Sequence, residues 1–419
     1  MGRDRIGIMG GTFDPVHSGH IQLAAYARES AKLDRVLLVP DGVAPHKQIL
    51  TDKEDRWRML EIACCQEKGI EPCRIALDRE GVSYPHETIA MLEEAYPKAD
   101  FFYIIGADAM MHLSHWRSLD YLLKKCTFLV APRASSGEGT SREALKAFLE
   151  ERRHLTEMGA RIQTIDMPLT DISSTLIRAV LAKGEEPRLL PPVVAEYCGV
   201  LGLYGQTARI PQGRVWMERL HADLTVKRFS HTLAVAYTAR NLARNHHVDV
   251  YKAEAAALLH DCAKCLPLSE MQKICHDNAL TPDALTFSSG NLLHSIAGSY
   301  LARSLYGVED PDILRAIYCH TTGKVGMTAL DMVVYLADKI EPTRAPYPTL
   351  SKVRMLAPLS LQRALLVSME GTQAYVRHGN HPLHPQTERT IQWLRTLPEN
   401  KRDEPRKAKS TSNDKGGSL

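Results

Sequence analysis

The chain has 419 residues, and 52 Lys and Arg stand against 49 Asp and Glu, a formal net charge of +3. That length exceeds one typical domain and fits two or at most three, and so slight a charge gives no reason to expect nucleic acid or a membrane surface as partner. No apolar run approaches the roughly 20 residues of a membrane span. The nine cysteines, with no signal-like start, point to free thiols and a cytoplasmic setting.

The predicted elements begin with the strand Arg5–Met9, which Gly10 and Gly11 interrupt; the run IQLAAYARESAK after His20 has helical texture. Strand, glycine turn and helix in that order bring backbone close to a ligand, and the open N–H groups of a helix start suit a phosphate. His17 and His20 lie three apart at that helix start, so both imidazoles share one face and reach one anion.

Further strands are predicted at Arg35–Pro40, Arg74–Ala76, Asp100–Ile105, Thr127–Ala131 and Arg161–Ile165. Helices such as Asp52–Glu67, Thr88–Tyr96 and Leu119–Lys125 lie between them. This rhythm, over residues 1–205, predicts a Rossmann-like α/β domain on a parallel sheet with ligands at the carboxyl ends of its strands. Three more stretches follow strands. PDGVAPHK (40–47) is a rigid loop ending in Lys47, a cation placed to meet phosphates or a solvated surface charge. IIGADAMMHLSHW (104–116) offers Asp108 to a ribose and Trp116 to a base, or Trp116 to the core. In DISSTLIR (171–178), Ser173, Ser174 and Thr175 cap a helix start, and Arg178 follows one turn in.

These four stretches, with PPVVAEYCGVLGLYG at 191–205, resemble bacterial nicotinate-nucleotide adenylyltransferase, of the nucleotidyltransferase group with the His-x-Gly-His signature. The resemblance implies transfer of AMP from ATP to nicotinate mononucleotide, with Mg²⁺ carried on the ATP. It implies that His17, His20, Lys47 and Arg178 meet the reacting phosphates, and that Gly10, Gly11, Thr12, Phe13, Asp108, Trp116 and Ser173–Thr175 bind substrate. One stretch departs from the family: SYPHET at 83–88 has Pro85 and Glu87 where a threonine and an aspartate are usual, which bears on the choice of nicotinate over nicotinamide mononucleotide.

Residues 206–213 read as a linker, and the texture then changes. Long Ala/Leu-rich periodic segments from Val215 to His378 predict an all-α domain over 214–398, with a disordered tail at 399–419. His231, His260, Asp261, His294, His320 and Asp338 are spread through separate helices, mostly in apolar company where an unpaired polar group is costly. A helical bundle aiming such side chains inward is a common way to build a metal centre. Cys262 and Cys265 have no second pair at zinc spacing and read as packing thiols.

RFSHT, LLHDCAK, LLHSIAGS, AIYCHTTG and LADKIEPTR resemble the HD-domain phosphohydrolases, and among them the YqeK-type symmetrical diadenosine tetraphosphate hydrolases. That resemblance implies one metal on His231, His260, Asp261 and Asp338, with His294 and His320 completing a second site. Iron or manganese is expected there, with zinc left open. It also implies catalytic roles for Asp261 and Lys264 and cleavage of diadenosine tetraphosphate to two ADP. Hydrolysis of other nucleotides and non-hydrolytic nucleotide sensing are the alternatives for this half. The partners expected are small nucleotides and another copy of the chain.

Overall fold

The computed structural model describes residues 3–44, 49–131, 142–168, 172–379 and 382–398; Lys47 and the tail from 399 onward lie outside them. By its contacts the chain divides into two compact units, Met1–Tyr237 and Thr238–Leu419.

In the first unit, β1 (Asp4–Gly11), β2 (Arg35–Pro40), β3 (Ile70–Pro72), β4 (Ala99–Gly106), β5 (Cys126–Ala131) and β6 (Arg161–Thr164) make one sheet in the order β3-β2-β1-β4-β5-β6. Every pairing is parallel. The central strands are near-continuous apolar runs because both faces of such a sheet are covered: Ile6, Ile8, Leu37, Val39, Phe101 and Phe128 are all buried. Helices α1 (Ser18–Ser30), α2 (Lys53–Cys64), α3 (Pro85–Ala95), α4 (Ala107–Met110), α5 (Leu119–Lys125) and α6 (Arg142–Glu157) connect the strands. After the sheet come α7 (Ser174–Leu181), α8 (Pro192–Leu201), α9 (Gly213–Asp223) and α10 (Val226–Asn245), within which the division at Tyr237 falls. The order of strands reverses between β1 and β4, and a doubly wound sheet leaves its ligand crevice at that switch.

The third strand lies at Ile70–Pro72, where it pairs with Val36–Leu38, and not at the expected Arg74–Ala76. Arg74 instead opens a turn, with Leu77 N–H donating to its carbonyl, and its guanidinium forks between Glu54 and Asp78 at 2.9 and 2.7 Å. The charges of that run find partners in a turn, which an inner strand would deny them.

Residues 206–212 are ordered against α8. Ile210 is fully buried, and Arg209 bonds the buried Glu196 at 2.8 Å. Gly202 ends α8 at φ +69°, and a Cβ there would stand 2.6 Å from the backbone nitrogen of Ala208.

The second unit is helical throughout its described residues, with α11 (Val250–Leu259), α12 (Leu268–Asp277), α13 (Ala284–Phe287), α14 (Gly290–Ser304), α15 (Pro311–Cys319), α16 (Ala329–Ile340), α17 (Leu350–Leu356), α18 (Leu361–His378) and α19 (Pro385–Thr396) following the end of α10. α16 is the central one. It is apolar nearly all round, as a core helix must be, and it packs on α11, α15, α17 and α18. Thr328 and Asp331 close its N-terminus as a reciprocal capping box.

Gly202→Ala combines a left-handed backbone with a backbone clash, so it is expected to destabilise the first unit by about 1–3 kcal/mol. Thermal unfolding should show the first unit's midpoint lowered by a few degrees while the second unit's stays put.

Two candidate active sites

The first site is built on the turn after β1. Gly10 and Gly11 end the strand at the switch point, and His17 is the N-cap of α1. His17 N–H donates to His20 Nδ1 at 3.2 Å, and the two rings stack with centroids 3.6 Å apart. Phe13 meets His20 edge-on at 4.9 Å. His17 is buried, its Nδ1 has no hydrogen-bond partner among the described residues, and burial pushes its pKa down to about 4. A neutral, buried imidazole with an unused ring nitrogen at a helix start is a polar group awaiting a ligand.

The DISST stretch closes on the same turn. Ser174 Oγ donates to the Pro15 carbonyl at 3.0 Å, and Arg178 Nη1 donates to the Asp14 carbonyl at 2.7 Å. Ser173 caps α7 by accepting from Leu176 N–H, and Thr175 Oγ1 accepts from Arg178. Gly19 leaves room here, because a Cβ would stand 2.6 Å from the Cγ2 methyl of Ile172, which would have to shift. Asp108 is exposed in the first turn of α4, directly beyond the end of β4. Trp116 is half-buried, with its ring edge-on to Tyr103 at 5.8 Å, so it belongs partly to the core while one side remains available for stacking.

Pro85 in SYPHET is the first residue of α3, where its missing N–H has no intrahelical partner to lose. Glu87 is tied to Arg79, and Ser83 Oγ accepts from Gly42 N–H at 3.0 Å. Sequence reasoning missed two residues of this site. Asp14, almost fully buried, accepts from Leu50 N–H at 2.8 Å and from Tyr204 Oη at 2.7 Å. Arg56, also buried, donates to the Thr12 and Asp41 carbonyls, both at 2.8 Å. Only burial distinguishes Arg56 from an ordinary helix charge, and no spacing in the sequence signals it.

The second site forms where α11, α14, α15 and α16 end or turn inward. His260 and His320 close α11 and α15, and each places its Nδ1 at 2.7 Å from the carbonyl three residues back, Ala257 and Ile317. A ring nitrogen so close to a carbonyl carries the proton, which leaves Nε2 of both rings with a lone pair. Those lone pairs face Asp261: His260 Nε2 lies 3.4 Å from Oδ2, and His320 Nε2 lies 3.7 Å from Oδ1. His294 Nε2 stands 3.0 Å from Asp261 Oδ1 and 3.1 Å from His320 Nε2. Asp338 Oδ1 is 3.8 Å from His260 Nε2. Asp338 is itself held by Arg344 Nη2 at 2.6 Å and by Lys339 Nζ at 3.0 Å. Lys264 Nζ lies 3.4 Å from both Asn291 Oδ1 and His294 Nδ1. His231, buried on α10, precedes the division at Tyr237. Cys262 is buried with its thiol toward the Gly298 carbonyl, while Cys265 is exposed.

Burial opposes the charge of Asp261, but the imidazoles of His260, His294 and His320 packed around it outweigh that and hold the carboxyl well below its ordinary range. Burial pushes His294 and His320 down, against the pull of Asp261. The result is a buried set of carboxylate oxygens and imidazole lone pairs with few protons to share. Asp261, His294 and His320 offer ligand atoms all within 4.8 Å of one another. Such a donor set fits a divalent cation, which would relieve the crowding of acceptors.

A Cytidylyltransferase-like family model matches residues 8–180, and an HD domain model matches residues 228–343. A Streptococcus pyogenes protein that bears the name nicotinate-nucleotide adenylyltransferase is 38% identical over 208 residues, covering 48% of this chain and 89% of its own length. A Mycoplasma genitalium protein named for nicotinate-nucleotide adenylyltransferase and Ap4A hydrolase together is 27% identical over 382 residues, 90% of this chain and 99% of its own. A solved HD superfamily hydrolase from Clostridium acetobutylicum, described as involved in NAD metabolism, shares 35% identity over 43% of this chain and 95% of its own, with a TM-score of 0.42. The chain thus belongs to the nicotinate-nucleotide adenylyltransferase family through its first half and carries an HD domain in its second.

Proposed function

We propose that the chain is a bifunctional enzyme that transfers AMP from ATP to nicotinate mononucleotide and hydrolyses diadenosine tetraphosphate to two ADP. The observation that carries the first activity is the stacked His17–His20 pair over the glycine turn, at the switch point of the sheet. The acceptor's phosphate oxygen attacks the α-phosphorus of ATP in line. A new P–O–P bond forms, the bond between the α-phosphorus and the bridging oxygen breaks, and pyrophosphate leaves with that oxygen. No protein nucleophile is needed, so the protein contributes alignment and neutralisation of charge. In this reading His17 and His20 hold the α- and β-phosphates with the backbone from Gly10 to Phe13. Arg178 and Lys47 add positive charge, Asp108 meets the ribose, Trp116 stacks on a base, and Mg²⁺ enters with the nucleotide.

For the second activity the supporting observation is the convergence on Asp261. On the resemblance to HD-domain hydrolases, His231, His260, Asp261 and Asp338 would hold one metal, and His294 and His320 would complete a second site. The HD family model begins at 228, which takes in His231. A divalent metal there, with iron or manganese favoured by the imidazole and carboxylate donors, would supply a Lewis acid and water of lowered pKa. Lys264, beside His294, would meet a substrate phosphate, whereas Arg344 and Lys339 hold Asp338.

Three outcomes test these assignments in the full chain. His20→Ala should lower adenylyl transfer by ~10²-fold and leave hydrolysis of diadenosine tetraphosphate unchanged; a variant with parental transfer would remove His20 from the site. Asp261→Asn should abolish ADP release and lower bound metal, read by elemental analysis, with transfer intact. Bound metal without any ADP release in the parent would favour nucleotide sensing over hydrolysis.

The third outcome concerns pH. His17 titrates at about 4 in the folded chain against an ordinary 6.5. Between these values the unfolded chain binds the proton and the folded chain does not, so stability falls as pH drops from 6.5 towards 4. His17→Gln should flatten that slope in the first unit's thermal midpoint, and equal slopes in parent and variant would contradict the burial argument.

A further inference from the structure

In a parallel sheet the loops emerge at one edge but are not thereby fixed to one another. At this edge one buried side chain bonds the backbone of two of them at once. The two hydrogens of Arg56 Nη1 go to two different carbonyls, Thr12 in the turn after β1 and Asp41 in the loop after β2. The peptide that begins at the Asp41 carbonyl ends in Gly42 N–H, and that N–H donates to Ser83 Oγ at 3.0 Å, just ahead of α3. Peptide planarity makes this a continuous link, because a carbonyl turned towards Arg56 points its own N–H the opposite way. Asp41 N–H adds a bond to the Gly11 carbonyl at 2.9 Å, and Ser83 N–H adds one to the Val43 carbonyl at 2.9 Å. Arg56 is 1% exposed, and its Nε finds no hydrogen-bond partner among the described residues. A buried guanidinium with an unmet donor is costly unless the position demands it.

We propose that Arg56 is a positioning residue for adenylyl transfer: it sets the phosphate-binding turn, the loop after β2 and the Ser83 segment at fixed separations, so that two substrates held by different loops meet in line. This rests on the transfer activity proposed above. It needs no contact between Arg56 and either substrate. The carbonyls of Thr12 and Asp41 are taken up by the guanidinium, and the Gly42 N–H is turned towards Ser83.

The test is steady-state kinetics of the full chain with ATP and nicotinate mononucleotide, each varied in turn, below the first unit's melting midpoint. Arg56→Met fills the same volume without donors and should lower kcat by about 10²-fold, with either KM changed by less than about threefold, as expected for lost alignment. Arg56→Lys keeps the charge one bond short of the carbonyls and should fall between variant and parent. Ser83→Ala severs the far end of the link without disturbing the buried charge, and should lower kcat by about tenfold on the same argument. A residue that only stabilised the fold would lower the melting midpoint and leave kcat and both KM values at parental levels in the folded fraction. That result in Arg56→Met overturns the proposal. If Arg56→Met does not fold, parental kcat in both Arg56→Lys and Ser83→Ala overturns it instead. Turnover by the parent is measured first and decides the activity separately.

Discussion

The fold of the first unit depends on a buried charge placed under open backbone. A doubly wound sheet gathers its loops at one edge, where nothing in the strand pairing fixes their spacing. Arg56 supplies that fixed point, and its neighbour Asp55 anchors the same helix on the other side. Tyr197 donates to Asp55 Oδ1 at 2.6 Å, and Arg214 forks onto both of its oxygens at 2.5 and 2.9 Å. Two adjacent residues of α2, opposite in charge and both buried, thus brace the turn after β1 against α8 and α9. That turn is consequently a small assembly. Its glycines provide access, its histidines provide the polar surface, and Arg56, Asp14 and Arg178 hold its backbone in place.

The second unit solves a related problem with different chemistry. Its core helix α16 is apolar nearly all round, yet its last turn carries Asp338 inward. Arg344 and Lys339 keep that carboxylate partnered. His260 and His320 face a similar difficulty, and each resolves it by donating Nδ1–H to its own helix's last carbonyls. That bond satisfies a helix C-terminus and fixes the tautomer in one stroke, so the lone pairs converge on Asp261 as a consequence of how the helices end. The first site gathers donors for an anion, and the second gathers acceptors for a cation. Both ends of that contrast suit enzymes of phosphoanhydride chemistry.

Most of this was legible in the sequence where the signal was local. The apolar runs VLLV and FFYII mark inner strands, the GGTFDPVHSGH turn announces itself by spacing, and the Ala/Leu-rich segments show the change of fold after residue 205. What could not be read depended on partners distant in the chain. Arg74 sits in a run that looks extended, and only its pairing with Glu54 and Asp78 turns it into a bend. Arg56 carries no motif of its own, and Asp14, though it lies inside the GGTFDPVHSGH turn, takes its role from burial against Tyr204, 190 positions away. The short helices α13 and α17 lack the length that makes a period visible, and α19 is revealed mainly by His384 and Pro385 at its start. Pro85, where SYPHET departs from the family, is the first residue of α3 and forfeits no intrahelical bond there.

The same long-range contacts bear on where the first folded body ends. Composition changes at Gly205, but the packing continues. Ile210, Trp216, Met217 and Leu220 are buried, His221 Nε2 meets Glu61 at 3.0 Å, and Ser230 Oγ donates to the Ile62 carbonyl at 3.2 Å. All of these lie within the unit that closes at Tyr237. Glu61 and Ile62 belong to α2, the helix that also carries Asp55 and Arg56. The residues after 205 therefore complete the support of the helix that holds the turn after β1. A change of composition marks where a sequence starts to follow a new pattern, whereas a folded unit ends where its internal contacts end, and in this chain the two points are about thirty residues apart.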